Sequence, residues 1–135
     1  AALPIGEAQL LSEGTDVLLV AVGRMVEVAE KAAVDIRTKG FSVGVVNARW
    51  VKPLDPRILE WAAPARHVVT VEDNVVAGGF GASVMEAFAG AGHVKEITCI
   101  GIPDHFLPFG SPSDIAHSVG LDPDSVASRV LALLG

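Results

Sequence analysis

Gly78-Gly79-Phe80-Gly81 is the segment of this chain best suited to hold an anion. Glycines let backbone N–H groups approach a ligand, and at a helix start those groups are unpaired and carry the positive end of the helix dipole. The plainer reading is a tight turn that lets a helix pack closely on a strand. The spacing is not the Gly-x-Gly-x-x-Gly of a dinucleotide fold, and the segment follows the third strand of parallel type, not the first. Just before it stand Glu72, Asp73 and Asn74. The two acids could hold a cation or an arginine of a partner, and they are expected to be solvated or interfacial. Adjacent strand residues point to opposite faces, so they are not placed to act as a two-carboxylate catalytic device. Arg49 and Lys52 could bind a phosphate. The simpler expectation is that Arg49 pairs with an acid nearby or across an interface, with Trp50 packed beside it.

The four histidines, His67, His93, His105 and His117, form no metal-spaced pair with another His or with Cys. Asp104 and His105 lie in a strand-end loop, where a surface or interface role is expected before a catalytic one. Cys99 has no second cysteine to pair with and sits in a strand-like run, so it reads as a small core hydrophobe, not a nucleophile. No Gly-x-Ser-x-Gly context and no phosphate loop of the Walker type is present. The residues thus nominate no catalytic, cofactor-binding or metal-ligating group.

The elements that must position these residues alternate. Gln9 to Ser12 reads as a short strand, Glu13-Gly14 as a turn, and Val17 to Val22 as a longer strand apolar on both faces. Two strands this close in sequence run antiparallel, because a parallel return needs a dozen or more residues. Met25, Val28, Ala29, Ala32 and Ile36 recur at helical spacing, and Gly40 stops that helix. Phe41 to Asn47 is the next strand. Asp55-Pro56 opens a helix with Ile58, Leu59 and Ala62 inward and Pro64 closing it. His67 to Glu72 is a strand, and a helix from about Gly79 turns Val84, Met85 and Phe88 inward before Gly90-Ala91-Gly92. Glu96 to Gly101 is the last strand. Ser111 to Asp114 has the spacing of a capping box with Asp in its last place. Asp122-Pro123 opens a final helix with Val126, Val130, Leu133 and Leu134 as its apolar positions. This order predicts a three-layer α/β/α sandwich around a five-stranded mixed sheet, four strands parallel and one antiparallel edge strand. Ligands collect at the carboxyl ends of such strands, and that is where most of the residues above fall.

Composition narrows the partners. The chain of 135 residues suits one domain. Half of it is hydrophobic, 19% is charged and the net charge is −6, with the ten basic residues scattered. That pattern is wrong for nucleic acid. No apolar run approaches the length of a membrane span. No secretion signal is visible, and one unpaired cysteine suits a reducing compartment, so a cytoplasmic location is expected. The start at Ala1-Ala2-Leu3-Pro4, without Met, suggests trimming from something longer.

Three segments in fixed order, Ala48 to Asp55 (Ala-Arg-Trp-Val-Lys-Pro-Leu-Asp), Val69 to Asn74 (Val-Thr-Val-Glu-Asp-Asn) and Gly78 to Gly81, resemble the C-terminal domain of transketolase-like thiamine diphosphate enzymes. The likeness runs from Leu3-Pro4-Ile5-Gly6 through a hairpin at Glu13 to Val17, to Pro103-Asp104, Gly110-Ser111, Gly120-Leu121 and the last helix. The Gly-Ser pair after Pro103-Asp104 brings it nearest the 1-deoxy-D-xylulose 5-phosphate synthases. That family usually has His before the Gly-Ser, where this chain has Phe109.

The resemblance implies that residues 1–7 link to a pyrimidine-binding domain outside this chain and that residues 8–135 are the transketolase C-terminal-like domain. It also implies a parent enzyme that joins pyruvate and glyceraldehyde 3-phosphate, with loss of carbon dioxide, using thiamine diphosphate and Mg held by other domains. The expected role here is packing against those domains and a homodimer partner, with Glu72, Asp73, Asn74 and Gly78 to Gly81 as the interface candidate and no cofactor bound. The alternatives are a stand-alone module for a phosphorylated metabolite, or the C-terminal domain of a transketolase or of a 2-oxo-acid dehydrogenase beta subunit. Lys52-Pro53 also resembles the Lys-Pro pair of receiver domains, but Gly23-Arg24 stands where their acidic cluster belongs.

Overall fold

A computed structural model describes residues 7–49, 54–75, 79–92, 95–102 and 120–135. Their order is β1 (Gln9–Ser12), β2 (Val17–Ala21), α1 (Met25–Thr38), β3 (Val43–Asn47), α2 (Arg57–Ala62), β4 (His67–Val75), α3 (Phe80–Gly90), β5 (Glu96–Ile102) and α4 (Pro123–Leu134). The capping box at Ser111 to Asp114 and the helix expected there lie outside the described residues.

The sheet has the order β1-β3-β2-β4-β5. Strands β3, β2, β4 and β5 pair in parallel, and β1 pairs antiparallel with β3. The five-stranded mixed sheet is therefore as expected, but the first two strands do not form a hairpin. Strand β3 lies between them, and the Glu13 to Asp16 connection crosses its beginning. Glycine makes that crossing possible: a Cβ on Gly14 would stand 2.1 Å from the backbone nitrogen of Gly44, and one on Gly44 would stand 2.8 Å from that of Gly14. Side chains then lock it. Asp16 Oδ2 accepts from the Ser42 N–H (2.7 Å), and Arg37 Nη2 donates to Ser12 Oγ and to the Val43 carbonyl (2.9 and 3.0 Å).

Both faces of the sheet are covered, as the continuous apolar runs require. Val17, Leu19 and Ala21 of β2 face α1 and α4, while Leu18 and Val20 face α2 and α3. All five are buried. Two helix faces differ from expectation. Met85 is 47% exposed and Leu133 is 36% exposed. In α4, Ala127 occupies the inner position beside Val126, Val130 and Leu134. Apolar spacing alone placed one residue too many on each inner stripe. The last helix starts as its sequence predicts, with Asp122 Oδ2 accepting from the Ser125 N–H (3.2 Å) and Pro123 at its first position.

Candidate functional site

The carboxyl ends of β2, β3 and β4 carry the described candidates. Glu72 lies near the end of β4, where the pairing with β5 slips: Val71 faces Ile100, but Val75 faces Ile102. Glu72, Asp73 and Asn74 thus lie in an irregular stretch of backbone, and the side chains of Glu72 and Asp73 are re-aimed as at a bulge. Glu72 is fully buried, which corrects the solvated reading. Its Oε2 accepts from the Phe80 N–H (2.5 Å) and its Oε1 lies 3.4 Å from the Gly81 N–H. A carboxylate at these unpaired amides meets the positive end of the α3 dipole.

The acceptor that the glycine-rich segment could cradle is therefore supplied by the chain itself, as the Glu72 carboxyl group. Gly79 precedes α3 in an extended conformation. Gly81 serves close packing, because a Cβ there would stand 2.6 Å from Cys99 Sγ and 2.8 Å from Thr70 Oγ1. Cys99 is half-buried on β5, its Sγ 3.7 Å from Met85 Sδ, and so is not the enclosed core residue expected.

Burial pushes the Glu72 carboxyl above its ordinary range, and the negative charge of Asp73 adds to this. The amides of Gly81 and Phe80 oppose it. Because the folded state holds this proton more tightly than the unfolded chain, stability falls as pH rises from the unfolded value near 4.5 through the folded one. Glu72→Gln removes that titration. Wild type measured against Glu72→Gln is expected to lose relative stability as pH rises above about 4.5, read from urea midpoints at each pH. A difference that does not change with pH would show that burial does not raise the Glu72 pKa.

Asp73 turns the other way, its Oδ2 3.2 Å from Arg24 Nε at the head of α1. Arg24 is 81% exposed, so this pair adds little stability. Arg49 follows β3 with φ of +59°, the only described non-glycine residue with positive φ. Its N–H donates to Asn47 Oδ1 (3.1 Å). Its Nη1 is shielded from solvent and has no hydrogen-bond partner. Lys52, Gly78, Asp104, His105 and Phe109 lie outside the described residues.

A second polar centre was legible only in part. Asp55-Pro56 does open α2, with Asp55 Oδ1 accepting from the Arg57 N–H (2.9 Å). Asp55 is also 3% exposed, and its Oδ2 accepts from the Ala8 N–H (2.7 Å) and Arg57 Nη2 (2.7 Å). Arg57 Nη2 donates in turn to the Ala8 carbonyl (3.1 Å) and the guanidinium sits 5.1 Å from the Trp61 ring. Both backbone groups of Ala8 are thus held where the chain arrives at β1. The Arg57 hydrogen bonds, joined by those from the Ala8 and Arg57 amides, outweigh burial and lower the Asp55 pKa to about 2. Asp in front of Pro signals the cap. Nothing local signals Ala8, 47 residues away.

The sequence model of the transketolase C-terminal domain matches residues 6–126. This chain belongs to that family. Among its relatives are 1-deoxy-D-xylulose-5-phosphate synthases, 44% identical over 98% of this chain in Thermomicrobium roseum and 39% identical over 98% in Shouchella clausii. The chain spans 21% of the length of each. In three dimensions it resembles a chain of a structure described as split gene transketolase, inactive beta4 tetramer (TM-score 0.91, 30% identity), covering 99% of this chain and 44% of the other. Transketolase from Campylobacter jejuni shares the fold (TM-score 0.71, 19% identity), with 94% of this chain and 18% of that one covered.

Proposed function

We propose that this chain is the C-terminal domain of a thiamine diphosphate-dependent 1-deoxy-D-xylulose 5-phosphate synthase and serves assembly, not chemistry. The observation that carries this is the 39–44% identity to such synthases over almost the whole chain, confined to about a fifth of their length. Residues 1–7 are then the link from a pyrimidine-binding domain, and the Asp55–Arg57 clasp on Ala8 fixes where that link arrives. Thiamine diphosphate and Mg belong to the other domains of the parent, which acts as a cytoplasmic homodimer. None of the described helices is long and apolar enough to cross a membrane.

The described residues do not fit the cofactor. The one glycine-rich helix start that would suit a diphosphate is filled by Glu72. Among them no group of three or more His, Cys, Asp or Glu side chains comes together around a metal position. No step of the reaction is assigned to them. The same filled helix start weighs against a stand-alone phosphometabolite module. The likeness to a split-gene transketolase favours a second reading, the C-terminal domain of a transketolase.

The test is an assay of the native protein and of this chain alone. The native protein is expected to release carbon dioxide from pyruvate in the presence of glyceraldehyde 3-phosphate, and the chain alone to release none. Two-carbon transfer from a ketose phosphate without decarboxylation would favour the transketolase reading. Activity of the isolated chain would overturn both.

A further inference from the structure

We propose that Arg49 is an oxyanion receptor at the carboxyl edge of the sheet, and that its partner is a carboxylate carried by another part of the assembled enzyme. This rests on the reading of the chain as one domain of a larger protein. Two features of Arg49 are costly in isolation, and both occur at one residue. Its backbone is left-handed (φ +59°), which L side chains adopt at an energetic penalty. The turn is built deliberately, with the Asn47 side chain holding the Arg49 N–H at 3.1 Å. Its guanidinium carries a solvent-shielded Nη1 with no partner, and the side chain makes no ion pair among the described residues. Arg49 as a whole is only half-buried, so the cost falls on Nη1, a shielded donor with no acceptor.

The described groups near this edge that could neutralise Arg49 are committed elsewhere. Asp73 is on Arg24, Glu72 is on the α3 amides, and the Asn47 side-chain oxygen is on the Arg49 backbone. The partner must therefore come from outside them. A planar guanidinium fork matches a carboxylate in bidentate fashion. A phosphate would draw on helix-start amides as well, and here those amides are taken.

The experiment measures thermal midpoints of the chain in sodium formate, sodium phosphate and sodium chloride at matched ionic strength, for wild type, Arg49→Gly and Arg49→Lys. Glycine accepts positive φ, so Arg49→Gly keeps the fold while removing the charge. Formate is expected to raise the wild-type midpoint over chloride by about 2 °C or more, with phosphate doing less, and the shift is expected to vanish in Arg49→Gly. Arg49→Lys should keep only part of it. In chloride, Arg49→Gly should melt no lower than wild type.

In the intact native enzyme the formate shift should be absent, because the site is already filled. Equal midpoints in formate and chloride for the chain, or a clearly lower midpoint for Arg49→Gly in chloride, would overturn the proposal. A larger shift with phosphate would assign the site to a phosphorylated ligand. A formate shift retained in the intact enzyme would show the site open to small molecules, against a carboxylate of the enzyme. These midpoints do not depend on which reaction the parent catalyses, so failure of the synthase reading leaves them interpretable.

Discussion

Asp55→Ala is expected to lower the stability of the chain by about 3 kcal/mol, a drop of roughly 10 °C in thermal midpoint. The buried carboxylate accepts from the amides of Ala8 and Arg57 and from the Arg57 guanidinium. Removing it leaves the Ala8 N–H without its partner, removes the cap of α2 and leaves Arg57 facing a void. Arg57 is 44% exposed and keeps access to water, so the loss falls mainly on the buried amides that Asp55 no longer accepts from. Asp55→Asn keeps the shape and one acceptor, and should cost about half as much.

The pH dependence has a definite sign. Asp55 ionises at about 2 when folded and at 3.8 when unfolded. The stability it provides is complete above the unfolded value and disappears as pH falls through the folded one. Wild type minus Asp55→Asn should therefore shrink between pH 4 and pH 2, opposite in sense to Glu72. A constant difference across that range would show that the Asp55 charge contributes nothing. Loosening this clasp should also expose residues 7 and 8 to proteases sooner than the rest of the chain, because it holds both backbone groups of Ala8.

Replacing Gly14 with alanine should be at least as damaging. The new Cβ would lie 2.1 Å from the nitrogen of Gly44 and 2.4 Å from the carbonyl carbon of Val43. Both are backbone atoms, so no flexible side chain can yield. Overpacking of ordinary cores costs about 1–3 kcal/mol, and a backbone-on-backbone clash belongs at or beyond the upper end. The strands must separate where the connection crosses β3, so β1 should lose its pairing. Gly90→Ala is the control: a Cβ there meets nothing within 4 Å at the end of α3, and it should be neutral or stabilise by up to about 1 kcal/mol. Comparable losses for Gly14→Ala and Gly90→Ala in urea unfolding would contradict the crossing.

These two centres mark where sequence reasoning stopped. The alternation of strands and helices, the apolar runs of β2 and β4 and the Asp-Pro helix starts are local signals, and each led to the observed element. The insertion of β3 between β1 and β2 is not local. Two strand spacings are about 10 Å and four residues can reach about 13 Å, so the short connection allows either a hairpin or a crossing. Gly14 reads as turn chemistry in both cases, and only its contact with Gly44 distinguishes them.

Glu72 shows the same limit. Two adjacent acids at a strand end look solvated. The irregular β4–β5 pairing and the open amides of α3 draw one of them into the interior while Asp73 stays with Arg24. The candidate Arg49 was legible as a residue in search of an acid. Its left-handed backbone and shielded Nη1 were not, because both depend on the turn that Asn47 closes.

The central claim is that this chain works as one domain of a larger enzyme. The size of the native polypeptide in the source cell, detected with an antibody raised against residues 7–135, tests it most directly. A product several-fold larger than 14.0 kDa that co-purifies with thiamine diphosphate is the predicted result. A native product near 14.0 kDa, without that cofactor or a stable partner, would contradict it.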